Sequence, residues 1–169
     1  MKLYIEVINR QRKIKISLKR VSVTVNKIFN FLYNLQDKNL IKILNKKKYC
    51  LSLSISVIFI GNKKMKELNC KYRGKNATTD VLSFVYFEND FSGNLFLGEI
   101  FINPERVNYQ AKQYNISFWH EITRVLIHGF LHIIGYDHER NRYQTKKMQD
   151  VEEKILNYDA TQEDLRTVM

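Results

Sequence analysis

Apolar and polar residues alternate at Leu3, Ile5 and Val7, which predicts a first strand over Leu3–Asn9. The basic stretch Arg10–Arg20 alternates too, at Ile14, Ile16 and Leu18, and reads either as an extension of that strand or as a loop. From Val21 the period changes. Val21, Val25, Ile28, Phe29, Leu32 and Leu35 recur at helical spacing, so an amphipathic helix is expected over about 20–35. A polar, basic connection through Lys46-Lys47-Lys48 follows. Leu51 to Val57 alternates strictly and runs on into Ile58-Phe59-Ile60, the clearest strand in the chain.

Asn62 is placed to cap a short helix across Lys63–Lys71, and a polar loop from Tyr72 to Thr79 leads to strands at Val81–Phe87 and Leu97–Ile102. Pro104 after Asn103 marks a helix start, giving a helix over about 104–114. Ser117 caps the next helix, which runs to about 134, and a last one occupies about 140–157. Strands precede and separate helices, and helices dominate the end. This order predicts an α+β domain: a small mixed sheet of about four strands with helices packed on it. With a single proline, six glycines and no internal repeat, one domain over 1–169 is the simplest organisation.

Charge changes the picture. Residues 1–48 hold 13 Lys/Arg against Glu6 and Asp37, while the rest of the chain holds 15 of each sign. The whole excess of +11 therefore sits in the first third, a footprint for a polyanion, nucleic acid before anionic membrane. No run of about 18 apolar residues exists, so no membrane span is predicted, and the first residues lack a signal-peptide pattern, which makes the cytoplasm the default. Cys50 and Cys70 have no C-x-x-C partner and are expected to be reduced, partly buried thiols.

The stretch His128-Gly-Phe-Leu-His132-Ile-Ile-Gly135-Tyr-Asp-His138 carries the candidate chemistry. His128 and His132 stand one turn apart, about 40° around the axis and about 6 Å along it, so both imidazoles leave one face. Gly135 suits the left-handed conformation that ends a helix, which lets His138 swing back toward the same point. Three neutral imidazoles would hold one divalent ion, zinc first, and leave a fourth position for water or substrate. Imidazoles also suit nickel, iron or copper. His120 lies about 80° round the helix from His128 and is not expected to join them. Asp137 is a candidate to orient an imidazole or to stabilise the turn, and Glu121 fits either support of the site or, more ordinarily, solvent. The spacing is that of a zincin-like metal-binding helix, yet Gly129 stands where metzincin proteases carry the glutamate base.

His128 to His138 also matches the signature H-G-x-L-H-[LI]-x-G-Y-D-H, and the chain here resembles the YbeY family of bacterial metallo-endoribonucleases, also described as ribosomal RNA maturation factors. Two further blocks stand in that family's order: Asn69-x-x-Tyr72-Arg73-x-Lys75 with Thr79-Asp80-Val81-Leu82-Ser83-Phe84, and Leu97-Gly98-Glu99-Ile100-x-Ile102. Asn76, where an acid is common, and Val85, where proline often follows Phe84, depart from the pattern without touching the histidines. The resemblance implies a single-strand-specific endoribonuclease acting on ribosomal RNA of the small subunit, notably at the 16S 3′ end, and in ribosome quality control. It also implies a zinc-type ion on the three histidines and a functional arginine at Arg73, whose guanidinium suits a phosphate. Asp80 is left outside the site as a strand-start organiser.

The expected activity is metal-assisted cleavage of RNA, with the basic first third holding flanking backbone. Tyr72, Phe84, Tyr86 and Phe87 are candidates to stack on unpaired bases, although the core is the ordinary place for most such rings. Two other classes fit the same residues. One is a non-catalytic ribosome-binding factor with a structural metal, and the other a metal-dependent hydrolase of another substrate, which would need a base in place of the missing glutamate.

Overall fold

A computed structural model describes residues 1–46, 51–90, 93–137 and 141–167. The elements run β1 (Lys2–Asn9), α1 (Leu18–Asn34), α2 (Lys38–Lys46), β2 (Ser52–Phe59), α3 (Asn62–Arg73), β3 (Val81–Asn89), β4 (Asn94–Ile102), α4 (Pro104–Gln113), α5 (Phe118–Ile133) and α6 (Arg142–Thr167). The sheet has the order β1-β2-β4-β3. Its first three strands are parallel, and β3 returns antiparallel to β4 as an edge strand. This is the α+β class with a mixed four-stranded sheet that the period of the sequence predicts. Among the described residues no helix is long and apolar enough to cross a membrane.

Local chemistry accounts for the boundaries that differ from expectation. Arg10–Ser17 is a loop: the Gln11 side chain donates to the Ile14 carbonyl at 2.7 Å and accepts from the Lys13 and Ile14 amides. Ser17 then caps α1 by accepting from the Arg20 amide. The expected polar connection after α1 is instead α2. Asp37 Oδ1 accepts from the Asn39 and Leu40 amides at 3.0 Å each, and Leu40 is fully buried. Its lysines disguise that short apolar stripe. Gly61, not Asn62, is the N-cap of α3, and Asn62 Oδ1 accepts from Asn103 Nδ2 at 2.7 Å instead. α6 extends well beyond residue 157, to Thr167.

β2 lies at the centre, so both its faces are used. Leu53, Ile55, Val57 and Phe59 join the main core with α1 and α5, while Ile58 and Ile60 meet Met65 of α3 and Leu82 of β3 on the other side. β4 keeps two apolar pairs inward only because it bulges. Ser54 pairs with Phe96 and Ile55 with Gly98, which leaves Leu97 as the extra residue. Leu95 and Leu97 before the shift, and Ile100 and Ile102 after it, all reach the same core. Each fully buried side chain of this kind contributes roughly 1.5–3 kcal/mol. The bulge needs glycine, since a Cβ at Gly98 would sit 2.0 Å from the Phe84 carbonyl oxygen.

α5 ends where the sequence places its end. Gly135 has φ +92°, its amide donates to the His132 carbonyl, and the Tyr136 amide reaches back to Leu131. The reversal turns Tyr136 inward, where its hydroxyl donates to Asp37 Oδ2 at 2.6 Å, so the α2 cap also anchors the α5 exit across 99 residues of chain. Burial, then the Asp37 carboxylate, push the Tyr136 phenol well above its ordinary value of 10.0. A raised phenol stabilises the fold fully below the unfolded value and loses that contribution as pH climbs toward the folded one. Tyr136→Phe is therefore expected to cost about 2 kcal/mol in urea unfolding at neutral pH, as for a lost bond to a charged acceptor. The gap to wild type should narrow above about pH 10. A gap constant through the alkaline range would contradict this assignment.

Candidate metal centre

α5 lies so close to the sheet that position 129 has no room for a side chain. A Cβ on Gly129 would stand 2.8 Å from Ile100 Cγ2 and 3.3 Å from Ser83 Oγ, and the Ser83 hydroxyl donates to the Gly129 carbonyl at 3.1 Å. The missing protease glutamate is thus a packing requirement. Seating α5 here places His128 and His132 in a cleft of about 650 Å³ that is also lined by β3 from Val81 to Val85 and by Tyr72 and Arg73.

His128 and His132 meet at this cleft. Their Nε2 atoms are 3.1 Å apart and their ring planes cross at 74°. His128 Nδ1 lies 2.7 Å from Glu152 Oε1 on α6. Donating that Nδ1–H to the carboxylate leaves the Nε2 lone pair of His128 directed toward His132 and the cleft. Two nitrogens bound tetrahedrally at about 2.05 Å would be about 3.3 Å apart, so the donor pair fits one small ion. His138, the third expected ligand, lies outside the described residues. Among the described residues no group of three His, Cys, Asp or Glu side chains converges on one point. Asp137 lines the same cleft, and His120 is exposed at the start of α5, away from the pair.

The surrounding charges are organised by Arg124, one turn before His128. Glu121 is not solvated as expected but fully buried, bound by Arg124 through Nε at 2.9 Å and Nη2 at 2.6 Å. The Glu121 bond, with Asp80 and Glu152 nearby, holds the guanidinium above its ordinary range and so firmly charged. Asp80 organises the start of β3 as expected, but it also lines the cleft, so it does not lie outside the site. Its Oδ1 accepts from the Val81 amide at 2.9 Å and its Oδ2 from Gln110 Nε2 at 3.1 Å.

Tyr72 and Arg73 stand in the last turn of α3 and not in a loop. Gly74, at φ +66°, ends that helix, and Asn69 Nδ2 donates to the Ala77 carbonyl at 2.7 Å, tying the returning chain to α3. The block from Asn69 to Lys75 is therefore a helix-stop motif that presents Arg73 to the cleft. Of the four aromatics, Tyr72 and Tyr86 are largely exposed, contrary to the core expectation, and Phe84 and Phe87 are half-buried. Cys70 is a free, exposed thiol on α3, and Cys50 lies outside the described residues.

With this geometry in hand, kinship decides the assignment. The family profile described as Endoribonuclease YbeY matches residues 6–159. The chain belongs to the endoribonuclease YbeY family. A YbeY relative from Thermodesulfovibrio yellowstonii, described as Endoribonuclease YbeY, is 57% identical over 157 residues, covering 93% of this chain and 98% of its own length. One from Clostridioides difficile, described in the same words, is 38% identical over 122 residues, 70% of this chain and 79% of its own. The solution structure of TM1509 from Thermotoga maritima has a TM-score of 0.49 at 30% identity, covering 90% of this chain and 87% of that one.

Glu152 is the contact that sequence reading misses, because it stands 24 residues from His128 on a different helix. The available signal is that buried Met148 and Ile155, with half-buried Val151, draw a stripe along α6, and Glu152 flanks it. If the histidine pair holds zinc as the sequence leads one to expect, Glu152→Ala should weaken that binding about 10- to 100-fold in a competition titration against a chelator. Affinity equal to wild type would mean that the carboxylate does not orient the ring.

Proposed function

We propose that this chain is a metal-dependent endoribonuclease that cuts unpaired RNA, acting in the cytoplasm on the 3′ end of small-subunit ribosomal RNA and in ribosome quality control. One domain over 1–169 would carry the whole activity. The observation that carries the reading is the convergence of His128 Nε2 and His132 Nε2 in a cleft that Arg73 also lines, in a chain of this family. His128, His132 and His138 would hold one divalent ion, zinc first, which when bound supplies Lewis acidity toward a phosphate oxygen or water.

The protein's own groups do the rest. Arg73 binds the phosphodiester, its forked donors suiting two phosphate oxygens and offsetting charge that grows on them in the transition state. Glu152 keeps the His128 ring in one tautomer, so no time is lost to ring reorientation. Edge strand β3 forms the wall along which the substrate lies. The basic side chains described in the first third are mostly exposed, and that third contributes no residue to the cleft among the described residues, which suits binding of flanking backbone outside it.

With purified zinc-loaded protein and a single-stranded RNA carrying the small-subunit 3′ end, Arg73→Ala should lower kcat/KM about 100-fold, as for a removed transition-state donor. His128→Ala should abolish cutting while the far-ultraviolet spectrum stays that of wild type. Intact RNA after incubation with the wild-type protein under zinc, nickel and manganese, together with normal rRNA processing in cells carrying His128→Ala, would end this reading.

A further inference from the structure

Tyr72 is a large ring left 55% exposed at the rim of the cleft, directly before Arg73 in sequence. An exposed tyrosine at a helix end is ordinarily a surface residue with no task. Three features set this one apart. It lines the cleft that holds the histidine pair. It is buttressed: its ring meets Phe84 edge-on at 4.9 Å between centroids, and Phe84 meets Phe101 in the same way at 5.6 Å, within the smaller core under α3. Its backbone is also fixed by the Gly74 stop and the Asn69 tie, so the ring is presented with little freedom left to lose on binding. Lys71 Nζ, 4.9 Å from the ring centroid, adds positive charge beside it. Tyr86, exposed on β3, is also held by its neighbours but not at the cleft. It lies against Phe96 at 5.6 Å and 21°, its hydroxyl donates to the Glu99 carboxylate at 3.2 Å, and it is not among the residues that line the cleft.

We propose that Tyr72 is a specificity-determining residue: its ring stacks on one unpaired base of the RNA while Arg73 holds an adjoining phosphate. This rests on the nuclease reading of the same cleft. A base inside an A-form helix has neighbours on both faces and cannot offer one to a ring fixed on the protein, whereas an unpaired base splays out and stacks. Every base has such a face, so Tyr72 selects for strandedness and not for sequence. The stacked nucleotide sets how the strand lies across the cleft, and hence which phosphate Arg73 meets.

The test uses full-length zinc-loaded protein and short single-stranded RNAs in which one abasic site is walked along the nucleotides flanking the cut. Tyr72→Ala should raise KM roughly 10- to 100-fold, the span of base–aromatic stacking, with a much smaller change in kcat. Tyr72→Leu, which refills the space against Phe84 without a planar ring, should behave as Tyr72→Ala does, and Tyr72→Phe should restore wild-type KM. At one abasic position the wild-type protein should show the same rise, and there Tyr72→Ala should add nothing further. Losses that multiply at every abasic position, or an unchanged KM in the Ala and Leu variants, would overturn the proposal while leaving the nuclease reading intact. If the wild-type protein cuts no RNA, the nuclease reading fails, and the ring is judged by binding alone. Quenching of a 2-aminopurine oligonucleotide by wild-type and Tyr72→Phe protein but not by Tyr72→Leu supports stacking, and equal signals from all three overturn it.

Discussion

The seating of α5 on the β3–β4 hairpin is the constraint from which the rest of the site follows. Contact between Gly129, Ile100 and Ser83 fixes how near the helix comes to the sheet. That distance decides where His128 and His132 emerge and makes edge strand β3 a wall of the same cleft. A helix one methyl group further out would sit above a wider cleft, with the histidines and Arg73 no longer facing one small volume. The same contact leaves no place for a side chain at position 129, directly after His128.

Around that contact the fold uses distant carboxylates to hold its polar parts. Asp37 caps α2 with one oxygen and receives the Tyr136 hydroxyl with the other, binding the reversal after α5 to the basic first third. Glu121 is buried and matched by the partly exposed Arg124, so removing the arginine would strand the carboxylate, a loss of roughly 3–5 kcal/mol for a buried ion. Arg124 in turn lies within the field of Asp80 and Glu152. Of the acidic groups near the histidines, Glu121 is engaged by Arg124, Asp80 by the Val81 amide and Gln110, and Glu152 by the His128 ring itself.

Much of this was legible in the sequence, and what was not has a physical cause. The strict alternation at Leu53–Val57, the helix starts at Asn103-Pro104 and Ser117, and the Gly135 stop are local signals, and local structure follows them. The i, i+4 histidines needed only helix geometry to be placed on one face. α2 was hidden because its apolar stripe is short and interrupted by lysines, and because Asp37 looks like any loop acid until its two amide donors are seen. Glu121 looked like surface charge, since an ion pair at i, i+3 gives no sign of burial by itself. Tyr72 was already a stacking candidate, but its buttress on Phe84 and the Glu152 contact depend on which elements meet in space, information carried by no spacing within one helix.

The order of elements has a consequence for how the protein comes into being. During synthesis His128 is made 24 residues before the carboxylate that holds it, and α5 is complete while α6 is still to come. Until that last helix emerges and docks, nothing on Glu152 restrains the imidazole. Alignment of the ring therefore arrives with the docking of α6 rather than with translation of the motif itself.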